Sequence, residues 1–495
     1  MQYKMILEAF IRNSDKKRFL RIHEGLRVLF SNRVVITVIV FLAVLLGSFY
    51  ACVIYDAMFY YYIVIISAIV CVLALFQFEA AFLFVPFCLT NPIILSQTQT
   101  RLRISELVFL IIFSVWLVRL IVTKEKILFP KIFLIPVIVI ISAAIVSFFA
   151  APHSNKTGMQ QLVRYMEVLI AFFMVVFYCG RKEQYIKKIF LYLMIGGLCA
   201  SLVGIIQFII KSLDSGVAER IFGLHGGSYG AIIGSTLVLA FSALSYPVEK
   251  NTRLWAIVTM PFSGLALILS QTRAWIGALF IVVLFLLIWT KQSSLKKILL
   301  IMGIMMGIVF LVGMINLLGV IDMKYFMKAF EGAFRYGSGE KHSTQDLAIY
   351  MRLNVWRMAI QHFLEHPFFG IGIGNLRFSN YLTGQLGNPI EGMGYVDNQY
   401  IQAFTETGIV GGIAWIVLMY RSIRIGLQSM SKSVGSMLQA PATGFLGSFL
   451  IFAIGSLFWV VTPQHESFAL MVLYSGMLFN IDTLRDGNMK RGENS

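Results

Sequence analysis

The chain has 495 residues, 58% hydrophobic and only 13% charged, with a formal net charge of +17 and a mean hydropathy of +0.80. That charged share is about half of what a soluble globular protein carries, which excludes a water-soluble fold. Apolar runs recur from Val34 to Ile481, so lipid is the solvent.

In lipid every backbone group must be paired within the chain, and runs of this length read as helices rather than barrel strands. The fold class is therefore all-α, a polytopic membrane protein of about 14 transmembrane helices (about 12–14) with one long extracytoplasmic helical loop.

In chain order, residues 1–33 form a basic cytoplasmic arm. Its Arg12, Lys16, Lys17, Arg18 and Arg21 suit anionic inner-leaflet lipid. The first apolar run, Val34–Cys52, is too long for a cleavable signal and lacks a small-residue cleavage site. Spans are expected near 34–52, 59–77, 80–95, 105–122, 131–150, 162–180, 188–210, 229–246, 254–270, 274–290 and 298–320. After the long loop they resume near 404–420, 441–461 and 468–481. This divides the chain into the arm, a membrane domain over 34–320, an extracytoplasmic loop over 321–403, a second membrane domain over 404–481 and a cytoplasmic tail over 482–495. Cys52, Cys71, Cys88, Cys179 and Cys199 lie in or beside apolar runs, with no Cys-x-x-Cys pair, and read as small core hydrophobes.

Lys/Arg placement sets the orientation. With both ends in the cytoplasm, the basic residues gather in inside segments. The short outside loops hold only Arg101, Arg103, Lys156, Lys211, Arg220 and Arg273. The basic excess is a topology signal, which argues against nucleic acid as a partner.

The 321–403 loop is where chemistry is expected, because long loops in tight folds are usually functional. Met323, Phe326, Met327, Phe330 and Phe334 share one helical face, as in a helix lying on the membrane. A second helical pattern runs from Met351 to Glu365 and stops before Pro367. Leu353, Val355, Trp356, Ala359, Ile360, Phe363 and Leu364 form its apolar face, with Asn354, Arg357, Gln361 and Glu365 opposite. Arg352 interrupts the apolar face and His366 would fall there too; a charge aimed at a packed side needs a partner.

Arg273 sits in the segment Leu269–Trp275, a very short turn between two apolar runs, at or just below the outer membrane surface, where ionisable residues are functional candidates. Arg164 and Glu167, three apart near the outer end of a span, suit an internal salt bridge or a ligand role. Guanidinium groups converge well on phosphate, so outside arginines at this depth suggest a lipid-linked phosphate or pyrophosphate. Gly370–Asn375 reads as a turn, not a nucleotide loop, since no strand precedes it. No Asp-x-Asp pair or regular His spacing points to a metal, and no cofactor is expected.

These elements resemble the O-antigen ligase and Wzy-type polysaccharide polymerase family. Ser270-Gln271-Thr272-Arg273 resembles its Ser-x-x-Arg turn, and Arg352 with Trp356 its Arg-x-x-x-Trp helix. His366-Pro367-Phe368-Phe369-Gly370-Ile371-Gly372 resembles its His-Pro-x-x-Gly-x-Gly segment. Asp397-Asn398 through Glu406-Thr407-Gly408-Ile409-Val410-Gly411 resembles its His-Asn…Glu-x-Gly junction. Arg220 with Gly223 resembles an arginine-glycine segment before a span.

The resemblance implies a cytoplasmic-membrane glycosyltransferase that uses an undecaprenyl-pyrophosphate-linked glycan without metal, alongside other polysaccharide-assembly membrane proteins. Asp397 stands where ligases of the family have histidine. That directs the reading to polymerases of capsular, exopolysaccharide or teichuronic-acid type, with a ligase or a lipid-linked oligosaccharide flippase as alternatives. In this reading Arg273 and Arg352 stabilise the pyrophosphate and Asp397 is the base. Arg220, Arg357, His366 and Arg164 bind substrate, and His366 is the second choice of base.

Overall fold

The computed structural model describes residues 82, 85–86, 89–90, 111–117, 131–150, 156–179, 182–215, 228–270, 272–289, 344–377, 396–458 and 465–492. The spans expected at 34–52, 59–77 and 298–320, the amphipathic pattern from Met323, Cys52, Cys71, Cys88 and Arg220 lie outside the described residues. The chain divides into two compact units. The first comprises Met1–Val85 with Ile94–Thr123, and its described residues are Phe82, Val85 and a helical stretch at 111–117, with Phe82, Ile112 and Trp116 buried. All that follows concerns the second, Pro86–Ile93 with Lys124–Ser495.

Every regular element among the described residues is helical. They are α1 (Lys131–Ala150), α2 (Lys156–Cys179), α3 (Glu183–Ser215), α4 (Tyr229–Ser245), α5 (Lys250–Leu269), α6 (Arg273–Trp289), α7 (Thr344–Glu365), α8 (Gln399–Lys432), α9 (Gln439–Gly455) and α10 (His465–Gly492). A 3₁₀ turn spans Asn375–Arg377. α1, α2, α3, α5, α8 and α10 are long and apolar enough to cross a membrane, and α4, α6 and α9 are shorter apolar helices. The protein is a multi-pass membrane protein.

α4 and α9 form the centre, buried along almost their whole length and packed on each other. Lipid tails are as apolar as leucine, so close backbone approach and polar contacts hold such helices together. Gly447 leaves room for Val238, and Gly444 for Ser242 and Phe190. Ser448 Oγ donates to the Ser235 carbonyl at 3.0 Å, and Ser201 and Ser263 hydroxyls meet at 2.8 Å. α3, α5, α6 and α10 pack around this pair, and α8 runs against α1, α10 and α9. At the expected cytoplasmic end Lys432 bridges Asp482 at 2.8 Å and Asp486 at 2.6 Å. Pro136 and Pro261 sit inside α1 and α5, where neighbouring helices can satisfy the freed backbone groups.

Candidate active site

Three segments meet at one end of the bundle. The first is the turn between α5 and α6. Ser270 Oγ donates to the Leu267 carbonyl at 2.6 Å and lies 2.6 Å from Thr272 Oγ1, and both residues are buried, so the turn is held from within. Arg273 is the first residue of α6. Two positions on, Trp275 is 1% exposed and fills a notch left by the missing side chains of Gly455 and Gly230. That fixes the start of α6 against the C-terminal end of α9.

The second segment is the entry to α8. The last carbonyls of a helix have no partner within it, and here α8 supplies partners for α9. Gln399 N–H donates to the Ser456 carbonyl at 2.9 Å and Asn398 Nδ2 to the Leu457 carbonyl at 3.0 Å. The Tyr400 hydroxyl reaches the Ala453 carbonyl at 2.9 Å. Asn398 is also the N-cap of α8, its Oδ1 accepting from the backbone of Tyr400 and Ile401 at 3.0 Å each. Asp397, just outside the cap, is half-buried with φ of 50°, a left-handed conformation that aspartate tolerates better than most residues.

The third segment is α7 and the loop after it. Trp356 Nε1 donates to the Val396 carbonyl at 2.7 Å, immediately before Asp397. Val355, Met358 and Ala359 bury themselves against Ile371, Leu376 and Val396. This corrects the expected apolar face: Met358 is buried, whereas Leu353, Ile360 and Leu364 are exposed. His366 is exposed too, because the helix ends at Glu365 and the chain turns away.

The loop then splices a break in α8. Gly408 has φ 69° and ψ −171°, a region open essentially to glycine alone. The break frees backbone groups at membrane depth, where each must find a partner. Ile371 N–H donates to the Thr405 carbonyl at 2.9 Å, Gly372 N–H to Glu406 at 3.2 Å, and Ile409 N–H to Pro367 at 2.8 Å. Ser147 of α1 also donates to the Glu406 carbonyl. Gly370, with φ of 69°, leaves room for the Thr405–Glu406 backbone.

Glu406 is 4% exposed. It accepts from Gly374 N–H at 3.1 Å and from Gln402 Nε2 at 2.9 Å. Sequence reasoning gave Glu406 no role; the available signal was an acid inside an apolar run, four residues after a glutamine and two before a helix-breaking glycine.

Arg273 precedes Trp275 by two residues, Arg352 precedes Trp356 by one helical turn, and Asp397 follows Val396. The backbone positions of all three are thus tied to the Val396–Gln399 junction and the end of α9. The side chains of Arg273 and Arg352 lie outside the described residues. Arg357 is exposed on α7. Arg164 is half-buried on α2 beside Tyr165, which packs with Ile373 of the loop. A small apolar cavity lies between α1, α2, α8 and α10, lined by Phe133, Tyr165, Phe172, Trp415, Phe468 and Met471 among others.

Residues 258–416 match the family model described as O-antigen ligase. The match contains the Ser270–Arg273 turn, α7, the 366–377 loop and the broken part of α8; Arg164 and Arg220 fall outside it. No curated protein matches the chain.

Proposed function

We propose, from the O-antigen ligase match over residues 258–416, that this membrane protein polymerises undecaprenyl-pyrophosphate-linked oligosaccharide repeat units on the outer face of the cytoplasmic membrane. The match itself supports a membrane glycosyltransferase of ligase or related polymerase type. What supports one shared site is the tethering of the backbone at Arg273, Arg352 and Asp397 to a single junction through Trp275, Trp356 and the end of α9.

In the proposed reaction an acceptor sugar hydroxyl attacks the anomeric carbon of the donor glycan. The new glycosidic bond forms as the bond to pyrophosphate breaks, and undecaprenyl pyrophosphate leaves with the bonding electrons. Asp397 takes the hydroxyl proton, with His366 as the second candidate. Arg273 and Arg352 stabilise charge developing on the pyrophosphate, assisted by Arg220 or Arg357, with Arg164 as a further substrate contact.

A ligase is the second reading, favoured by the description of the matched family itself; Asp397 in place of the family's histidine favours the polymerase. The test is purified protein with lipid-linked repeat units in a lipid extract. A ladder of lengthening glycans without nucleotide sugar supports polymerisation, and transfer of a finished glycan to a separate acceptor supports ligation. With both absent, and repeat units building up on the cytoplasmic face of a deletion strain, a flippase is the better description.

A further inference from the structure

α7 buries only part of its apolar surface. Leu353, Ile360 and Leu364 are 49%, 46% and 69% exposed. At about 100° per residue they fall within an arc of about 40°, so they form one stripe rather than three scattered contacts. The stripe leads into the following turn, where Phe368 and Phe369 are 68% and 56% exposed. Five large apolar side chains in one patch are more than a water-facing loop ordinarily displays.

What the patch joins identifies its partner. Beyond the break in α8, Ile409, Val410, Ile413 and Ile416 are 40–51% exposed along one side of a helix long and apolar enough to cross a membrane. The exposed aliphatic side of such a helix faces lipid. Phe368 begins where that side ends: its backbone lies against Gly408, and Pro367 accepts from Ile409 N–H at 2.8 Å. The far edge of the α7 stripe is polar. Gln361 and His362 contact Glu365 at 3.3 and 3.1 Å, and Arg357 stands between them and the stripe.

We propose that α7 and the Pro367–Phe369 turn lie in the headgroup–acyl boundary of the adjoining leaflet. Leu353, Ile360, Leu364, Phe368 and Phe369 are inserted among lipid chains, and Arg357 reaches the headgroup phosphates. An amphipathic helix lying in the interface has this division of faces, and a long basic side chain at its border extends to the anionic layer. The proposal rests on surface geometry; it gives Arg357 to lipid and leaves Arg220 to assist Arg273 and Arg352 in the catalytic reading.

The test uses the full-length chain in phosphatidylcholine–phosphatidylglycerol vesicles. Single cysteines replace Ile360, Leu364 or Phe368 on the stripe, or Gln361 or Glu365 on the polar edge, and each carries an environment-sensitive fluorophore. The stripe labels should emit at shorter wavelength and be quenched severalfold more by lipids spin-labelled near the headgroup than by aqueous iodide, with the opposite ranking at Gln361 and Glu365. All five positions are exposed, so the variants should elute as the parent does. Equal iodide quenching on both faces means the stripe faces water and overturns the proposal. Stripe labels shielded from both quenchers mean that another part of this chain, or a second copy, covers α7, which overturns it equally.

Discussion

The indole of Trp356 holds the Val396 carbonyl at 2.7 Å, so the helix carrying Arg352 is tied to the residue preceding Asp397. Two groups from separate parts of the sequence are thereby set in register by a bond that neither of them makes.

Trp356→Phe should keep the packing against Val355 and Ala359 while losing that bond. A hydrogen bond of this kind is worth about 1 kcal/mol net, so the folded protein should persist with a small loss of thermal stability. Glycan elongation should fall much further, by about 10²-fold if misplacement by an ångström is what matters. Activity that falls no further than folded protein would show that the bond positions nothing.

Arg273→Lys and Arg352→Lys should each lower product by about 10²–10³-fold with normal expression, since lysine cannot reproduce bidentate contact with phosphate. Arg357→Lys should be milder, because a lysine keeps the charge at an exposed position. Asp397→Asn keeps shape and removes basicity, and should abolish elongation. The lipid-extract assay reads all four, and retention of most activity by Arg352→Lys would sink the site.

Glu406 offers a stability test. Glu406→Ala leaves the Gly374 N–H and the Gln402 amide without their acceptor, at a cost of about 1–3 kcal/mol for a buried unmet donor. Glu406→Gln should be close to neutral. Gln402 Oε1 has no hydrogen-bond partner among the described residues, so Gln402 can swing its amide over and accept from the new NH₂. Thermal unfolding in detergent should therefore rank the parent and Glu406→Gln together, well above Glu406→Ala; a Glu406→Gln as unstable as Glu406→Ala contradicts the pairing.

Gly455 and Trp275 should behave as a coupled pair. Gly455→Ala drives a methyl into the indole and should displace the start of α6, lowering both stability and elongation. Trp275→Phe withdraws the larger ring, so the double variant should recover part of both losses. Additive losses in the double variant would mean that the notch does not set the position of α6.

The helices were legible because long apolar runs have few alternatives in lipid: Lys131–Ala150 coincides with the expected 131–150, and Tyr229–Ser245 falls within a residue of 229–246. The Ser270–Thr272 turn was legible for the same reason, lying between two such runs. The buried face of α7 was not. Periodicity reports which residues are apolar, but it cannot say whether an apolar residue meets protein or lipid, and Leu353, Ile360 and Leu364 are as apolar as the buried Val355 and Met358. Asn398 as a cap that also grips α9, and Glu406 as the acceptor for Gly374, were equally hidden, because each depends on a partner 59 or 32 residues away. The tethering of Arg273 to Asp397 runs through Gly455 and Ser456, outside the matched family region.

The break at Gly408 also bears on how the chain is assembled. A span normally enters the bilayer with its backbone already satisfied, but α8 lacks its own partners for Thr405, Glu406 and Ile409. Those partners, Pro367, Ile371 and Gly372, are synthesised before it and must be waiting at the membrane surface when it arrives. Insertion of α8 and docking of the preceding loop are then a single step, and a loop held away from the bilayer would stall the entry of the last three described helices.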